Sequence, residues 1–255
     1  MRIFDTHAHL LSHDFDSDRP ALLKSIRAQG VELVMEACCT EADIPHILAF
    51  TQEHDWVYGS AGLHPEELDK VGADALEQVE KALSREKIMA VGEIGLDYHW
   101  EDNPKREVQK AYLDAQLSMA GDHNLPVILH VRDAHGDCMD ILRGHKQHLQ
   151  GVMHCFSGSY ETARECLDLG LYIGVGGVLT FKNARKLKEV AQKVPLDRLV
   201  LETDCPYMAP EPLRGTRNHP GNLVYVRAAL AALRGEEEEA LSETLFQNGK
   251  NLFRL

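Results

Sequence analysis

Short apolar runs alternate with longer amphipathic stretches along the whole chain, and the punctuation between them predicts eight strand-then-helix units. The apolar runs lie at 3–9, 31–38, 56–64, 88–95, 126–133, 151–156, 171–178 and 199–206. Between them, a helix near 19–30 is opened by Pro20 and closed by Gly30, as the first turn and the exit of a helix favour. Others are predicted from Thr40 to about 53, over 72–86, from Pro104 to about His123, and over 136–146, with two more near 222–234 and 236–253. In the Pro104 segment, Val108, Tyr112, Ala115 and Met119 recur at offsets of three and four, which marks one buried face. The acidic run Glu236 to Glu239 falls at the start of the last helix, where carboxylates complement the dipole.

Eight such units in one chain imply a (β/α)8 TIM barrel, because each parallel crossover needs a helix and the connections are short. The whole of 1–255 is expected to form one domain, a length that suits this barrel. No G-x-G-x-x-G follows the first strand, which argues against a doubly wound open sheet. Chemistry in a barrel of this kind sits at the C-terminal ends of the strands.

Metal-capable side chains collect at those ends. His7, His9, Glu93, His130, His154 and Asp204 each stand near the downstream end of an apolar run, in strands one, four, five, six and eight. His7 and His9 are two apart and so face the same way on a strand. Four imidazoles and two carboxylates suit Zn or Mn, and also Mg if phosphate oxygens and water complete the shell. The set exceeds what one ion needs, so two divalent ions sharing a bridging carboxylate are expected, with Glu93, near the middle of the set, as the bridge. Such pairs, about 3.5–4 Å apart, clamp the attacking and leaving oxygens of a phosphodiester. His13, His46, His54, His123, His145 and His148 have no supporting cluster and read as unliganded surface residues.

Composition narrows the setting. With 44% hydrophobic residues the chain buries a large core, yet its apolar stretches fall far short of the roughly 20 residues a membrane span needs. The start, MRIFDTHAHL, has no apolar signal-peptide core, so a soluble cytoplasmic protein without membrane association is expected. The six cysteines show no C-x-x-C spacing and read as reduced thiols. Cys155 and Cys205 each follow a proposed ligand by one residue, which on a strand would turn them to the opposite face. A net charge of -13 argues against a protein that coats nucleic acid through a basic surface, but not against a nuclease whose positive charge is local metal.

The segments DTHAHL at 5–10, GLHP at 62–65, GEIGLDYHW at 92–100, LHVRDA at 129–134, MHCFSG at 153–158, ETDCPYMAP at 202–210 and RGTRNHPGN at 214–222 appear in this order. Together they resemble the TatD family of metal-dependent hydrolases, a branch of the amidohydrolase superfamily, over essentially the whole chain. The resemblance implies that His7, His9, Glu93 and Asp204 hold one ion, and that Glu93, His130 and His154 hold the second. It also implies a Mg- or Mn-dependent deoxyribonuclease acting on nucleic acid 3′ ends, DNA or RNA. Some relatives are D-aminoacyl-tRNA deacylases, which makes aminoacyl-tRNA the alternative substrate. Ala8 stands where many relatives carry Cys, and Thr216 where the RG-x-RN motif often has Lys, one positive charge fewer in the loop.

On either reading, metal activates a water, Asp204 orients or deprotonates it, and the ions stabilise charge on the reacting ester. Glu202, two residues earlier, faces the same interior as a further ligand, a proton carrier or the partner of an Arg. Arg214 and Arg217 are candidates to fork onto phosphate oxygens, with His64 and Arg132 at neighbouring strand ends as substrate contacts. Tyr98 would stack on a base or cap the pocket. Small-molecule amidohydrolases often bridge their ions with a modified Lys at the end of strand four; here Glu93 occupies that end and Lys87 the other. A non-catalytic metal-binding barrel would be expected to have lost ligands, and all six are present. Nothing in the sequence points to a stable protein partner.

Overall fold

In the computed structural model, which describes residues 1–255, eight parallel strands follow one another in chain order around a barrel. The strands are β1 (Ile3–Ala8), β2 (Val31–Glu36), β3 (Val57–Ala61), β4 (Ile88–Asp97), β5 (Val127–Arg132), β6 (Gly151–Met153), β7 (Leu171–Val175) and β8 (Leu199–Leu201). The helices between and after them are α1 (Arg19–Ala28), α2 (Ile44–Glu53), α3 (Ala75–Ala82), α4 (Arg106–His123), α5 (His135–Gly144), α6 (Tyr160–Asp168), α7 (Arg185–Lys193), α8 (Leu223–Arg234) and α9 (Glu238–Phe253). For α6 and α7 the punctuation gave no bounds. Both are short and amphipathic; α7 buries Leu187, Val190 and Ala191, and Ser159 caps α6 by accepting from the Thr162 amide. No helix is long and apolar enough to cross a membrane.

Two apolar layers hold the fold. The larger lies between strands and helices. The smaller gathers Phe4, Met35, Ala90, Ile128, Val152 and Val200, from six different strands, with Phe246, Leu252 and Phe253 of α9. Side chains from so many strands meet only inside a barrel. Helix α9 lies across the N-terminal opening. Ser242 donates to the Arg2 carbonyl (2.9 Å), Asn248 to the carbonyls of Leu196 and Leu199 (2.7 and 2.8 Å), and Arg254 to that of Asn124 (2.7 Å). Each of those carbonyls lies just before or at the start of a strand, so this end is sealed and the other stays open.

Strand ends differ from the predicted runs in a way that shapes the open end. The β4 ladder continues two residues past 95, to Asp97, whereas β6 and β8 stop at Met153 and Leu201. His154, Glu202 and Asp204 therefore stand beyond their ladders, and left-handed backbone at Cys155 (φ 44°) and Asp204 (φ 55°) redirects the chain there. Gly95 has φ 154° and packs against β5 so closely that a Cβ would fall 1.8 Å from the His130 carbonyl oxygen.

The barrel closes at the same end. The Asp204 amide donates to the His7 carbonyl and the His9 amide to that of Cys205, each at 3.0 Å. Beneath them Asp5 accepts from the Thr203 amide (2.9 Å) and hydroxyl (2.5 Å). The next loop is held by Glu36, which accepts the amides of Leu10 and Leu11, both at 2.9 Å.

Burial pushes the Glu36 carboxyl up to about 7, against the pull of those two amides. A raised carboxyl pKa means the folded chain keeps a proton that the unfolded chain has lost, so stability falls as pH rises from about 4.5 to about 7. The unfolding free energy of metal-free protein, from urea titrations, should drop across that window by on the order of 3 kcal/mol from this group. Buried Asp5 is likewise pushed up to about 7, so Glu36→Gln should reduce the slope without abolishing it; an unchanged slope in the variant would show that Glu36 ionises normally.

Candidate metal centre

Glu93 stands at the centre of the open end, buried, with a different set of imidazoles at each carboxylate oxygen. Its Oε2 lies 3.2 Å from His7 Nε2 and 3.7 Å from His9 Nε2. Its Oε1 lies 2.9 Å from His130 Nδ1, 3.4 Å from His64 Nε2 and 3.6 Å from His154 Nε2. Asp204 faces the same space, with Oδ1 3.5 Å from His9 Nε2 and 3.8 Å from both His7 Nε2 and His154 Nε2. All six expected ligands thus converge, and His64, expected as a substrate contact, joins them.

Other side chains fix the imidazoles from behind. Glu202 is buried, with Oε2 3.1 Å from His154 Nδ1 and Oε1 accepting the Cys155 amide (2.5 Å). This carboxylate fits only because β7 has Gly174 beside it, where a Cβ would fall 2.4 Å from Oε2. Asp97 does the same for His130, meeting its Nε2 at 2.9 Å. Partners of this kind set which ring nitrogen is free to bind metal.

Charge and burial are balanced around the carboxylates. Burial alone would raise the Glu93 carboxyl, but His64, His7 and His154 around it hold it well below its usual range. Burial opposes charge on His130, yet Asp97 and Glu93 push it up to about 10. His7 is lowered, first by burial and then by His154, whose ring stacks on it at 3.6 Å between centroids. A neutral imidazole is the ligand form. Ligand atoms of His7, His9 and Asp204, of His7, Glu93 and His154, and of His64, Glu93 and His130 each lie within 4.8 Å of one another. Nitrogen and carboxylate donors without a Lys or Arg among them fit a divalent cation.

The centre forms the floor of a cleft of about 1580 Å³. Arg132, on β5 two residues beyond His130, lines it. Three expected substrate contacts do not. The Tyr98 hydroxyl donates to Asp137 (2.9 Å) outside the cleft, and its ring lies under Arg106. Arg214 rests on the Phe181 ring, and Arg217 is tied to Asp18 (2.6 Å) and the Asp14 carbonyl. Cys205 is buried as expected, but Cys155 is not turned away from the centre. Its sulfur groups with the ligand atoms of His154 and Asp204, because β6 has already ended and strand alternation no longer applies.

Sequence reasoning missed Asp97, Glu66 and Cys39. Asp97 lies four residues beyond Glu93 and so on the same strand face, a signal hidden by ending that run at 95. Glu66, two residues after His64, lines the cleft. Cys39 sets its sulfur 4.0 Å from His9 Nδ1, a placement no spacing announces.

The family model described as TatD related DNase matches residues 4–254. The uncharacterized metal-dependent hydrolase YabD of Bacillus subtilis is 39% identical over 254 residues, covering 99% of each chain. A protein of Klebsiella pneumoniae named 3′-5′ ssDNA/RNA exonuclease TatD is 32% identical, covering 98% of this chain and 97% of its own. The crystal structure of the TatD homologue YjjV from Escherichia coli superposes with a TM-score of 0.95 at 38% identity, over 100% of this chain and 98% of the other. An organophosphorus hydrolase from Deinococcus radiodurans, at 15% identity and a TM-score of 0.68, shares the fold alone, over 98% and 92%. A barrel with this ligand set, matched along its whole length, belongs to the TatD family of metal-dependent hydrolases.

Proposed function

We propose that this protein is a divalent-metal-dependent phosphodiesterase that removes nucleotides from the 3′ ends of single-stranded DNA or RNA, with two ions sharing Glu93. The observation that supports this most is the division of Glu93, with Oε2 toward His7 and His9 and Oε1 toward His64, His130 and His154. His7, His9 and Asp204 would hold one ion and His130 and His154 the other, with His64 beside it; Mg, Mn and Zn all suit the set. Bound there, such ions supply Lewis acidity that activates water and offsets charge on a phosphoryl group. The cleft exceeds the roughly 300–1,000 Å³ of small-molecule sites, which favours the end of a polymer. The relative named as an exonuclease supports the same substrate class.

Exposure separates the roles of the carboxylates. The Asp204 side chain is 18% exposed and meets the cleft, whereas Glu93 is 5% and Glu202 1% exposed. Burial raises the Asp204 carboxyl, but His9 and His154 beside it bring it below its usual value, so it is anionic at neutral pH. Asp204 is therefore the group that would orient the attacking water and take its proton, at the carboxylate oxygen not turned to the imidazoles. Glu202 acts through His154 by holding Nδ1, and is a positioning residue. Arg132 is the strand-end cation placed to meet phosphate oxygens.

Metal-stripped protein should degrade a labelled single-stranded oligonucleotide from its 3′ end only after Mg, Mn or Zn is restored, and Glu93→Ala should abolish this. Deacylation of D-aminoacyl-tRNA without loss of strand would replace the nuclease by the ester-hydrolase alternative. Asp204→Asn should lower kcat by about a hundredfold or more while still binding metal. Glu202→Gln sets an amide N–H against His154 Nδ1–H, and metal affinity measured against a chelator should fall about 10- to 100-fold. An affinity that does not move would remove the positioning role.

A further inference from the structure

Three of the large apolar side chains exposed on this protein, Trp100, Tyr207 and Met208, line the one cleft that holds the metal centre. Trp100 is 51% and Tyr207 59% exposed, which for such side chains marks a contact surface. Neither loop is slack. Each ring stands three residues beyond a carboxylate of the centre. The loop bearing Trp100 is tied to Asp97 by the His99 amide (2.8 Å) and by Asn103 (3.0 and 3.1 Å). The Tyr207 amide donates to the Asp204 carbonyl (2.9 Å), and Met208 packs its carbonyl where a Cβ on Gly177 would fall 1.9 Å away.

The cleft also carries cations, although carboxylates, several of them in the metal centre, outnumber them in its lining. Arg132, Arg185 and Lys186 line it and form no ion pair, whereas Arg19, also in the lining, is paired with Asp16. Arg132 instead places its guanidinium 5.3 Å from the Trp100 ring. Aromatic faces interleaved with unpaired cations are what a single strand needs, since any base stacks and each phosphate finds a donor.

We infer that Trp100, Tyr207, Arg132, Arg185 and Lys186 form a binding track for single-stranded nucleic acid. It leads out from the metal centre and takes the nucleotides upstream of the one being removed. The inference rests on the proposed nuclease reading for its substrate class. Stacking on the two rings fixes position without selecting sequence, and Arg185 and Lys186 take the place that Arg214 and Arg217 were expected to fill.

The chain has two tryptophans, Trp56 and Trp100, so Trp56→Phe leaves Trp100 as the sole reporter. With metal-loaded Trp56→Phe protein, a short oligothymidylate should quench Trp100 fluorescence, and free thymidine monophosphate at equal nucleotide concentration should quench far less. Trp100→Ala and Tyr207→Ala should each raise KM for an oligonucleotide about tenfold, with a smaller change in kcat. Arg185→Ala with Lys186→Ala should reduce the slope of log affinity against log salt by about 1.4. Strand degradation with unchanged KM and salt slope in these variants would reject the track and leave the nuclease reading standing. Quenching with the stated salt slope but no degradation by wild-type protein would keep the track and reject the nuclease. Neither quenching nor degradation would reject both.

Discussion

Burying the Glu93 carboxylate is the constraint on which the open end of the barrel depends. A carboxylate taken from water costs several kcal/mol unless other charges or hydrogen bonds replace its hydration. Here the replacement is a ring of imidazoles drawn from β1, β5, and the segments after β3 and β6. Each imidazole must in turn be neutral, paired or bound to metal. The outward partners follow from that need: Glu202 behind His154, and Asp97 behind His130. A site so interlocked tolerates little adjustment, because moving one ring exposes a buried charge on another.

The two ends of the barrel are therefore built differently. At the N-terminal end α9 supplies Phe246, Leu252 and Phe253 to an apolar plug, and its polar side chains cap carbonyls that would otherwise face the opening. At the other end a ring of imidazoles and carboxylates replaces that plug. Backbone hydrogen bonds between His7 and Asp204, and between His9 and Cys205, close the barrel beside the ligands themselves. Closure and ligand placement are thus one event: a slip of β8 against β1 would carry Asp204 away from His9. The net charge of -13 disfavours nonspecific attraction of nucleic acid, while Arg132, Arg185 and Lys186 in the cleft form no ion pair.

The convergence of the six metal-capable side chains was legible because strand chemistry is regular up to the last hydrogen-bonded residue. His7 and His130 sit within apolar runs whose alternation fixes which side chains point inward, and the same register carries Asp97. Legibility ended where the ladders ended. At Cys155 and Asp204 the backbone turns left-handed, so a rule that turns neighbours to opposite faces misplaced the Cys155 thiol. Tyr98 and Arg217 lie in family-like segments, yet their polar ends are taken by Asp137 and Asp18. Such partners are distant in sequence, and no local pattern reports them.

The sequence by itself determined the eight-unit barrel, the end at which the metal-capable side chains gather and which residues converge there, because periodicity, strand length and donor type are local properties. Only the tertiary structure decided which oxygen of Glu93 faces which imidazoles, that Glu202 is buried against His154 Nδ1, and that Trp100, Tyr207, Arg185 and Lys186 share one opening. The physical reason is that these depend on loop paths beyond the strand ladders. There, long-range hydrogen bonds, close packing against glycine and competition for ion-pair partners outweigh local preference.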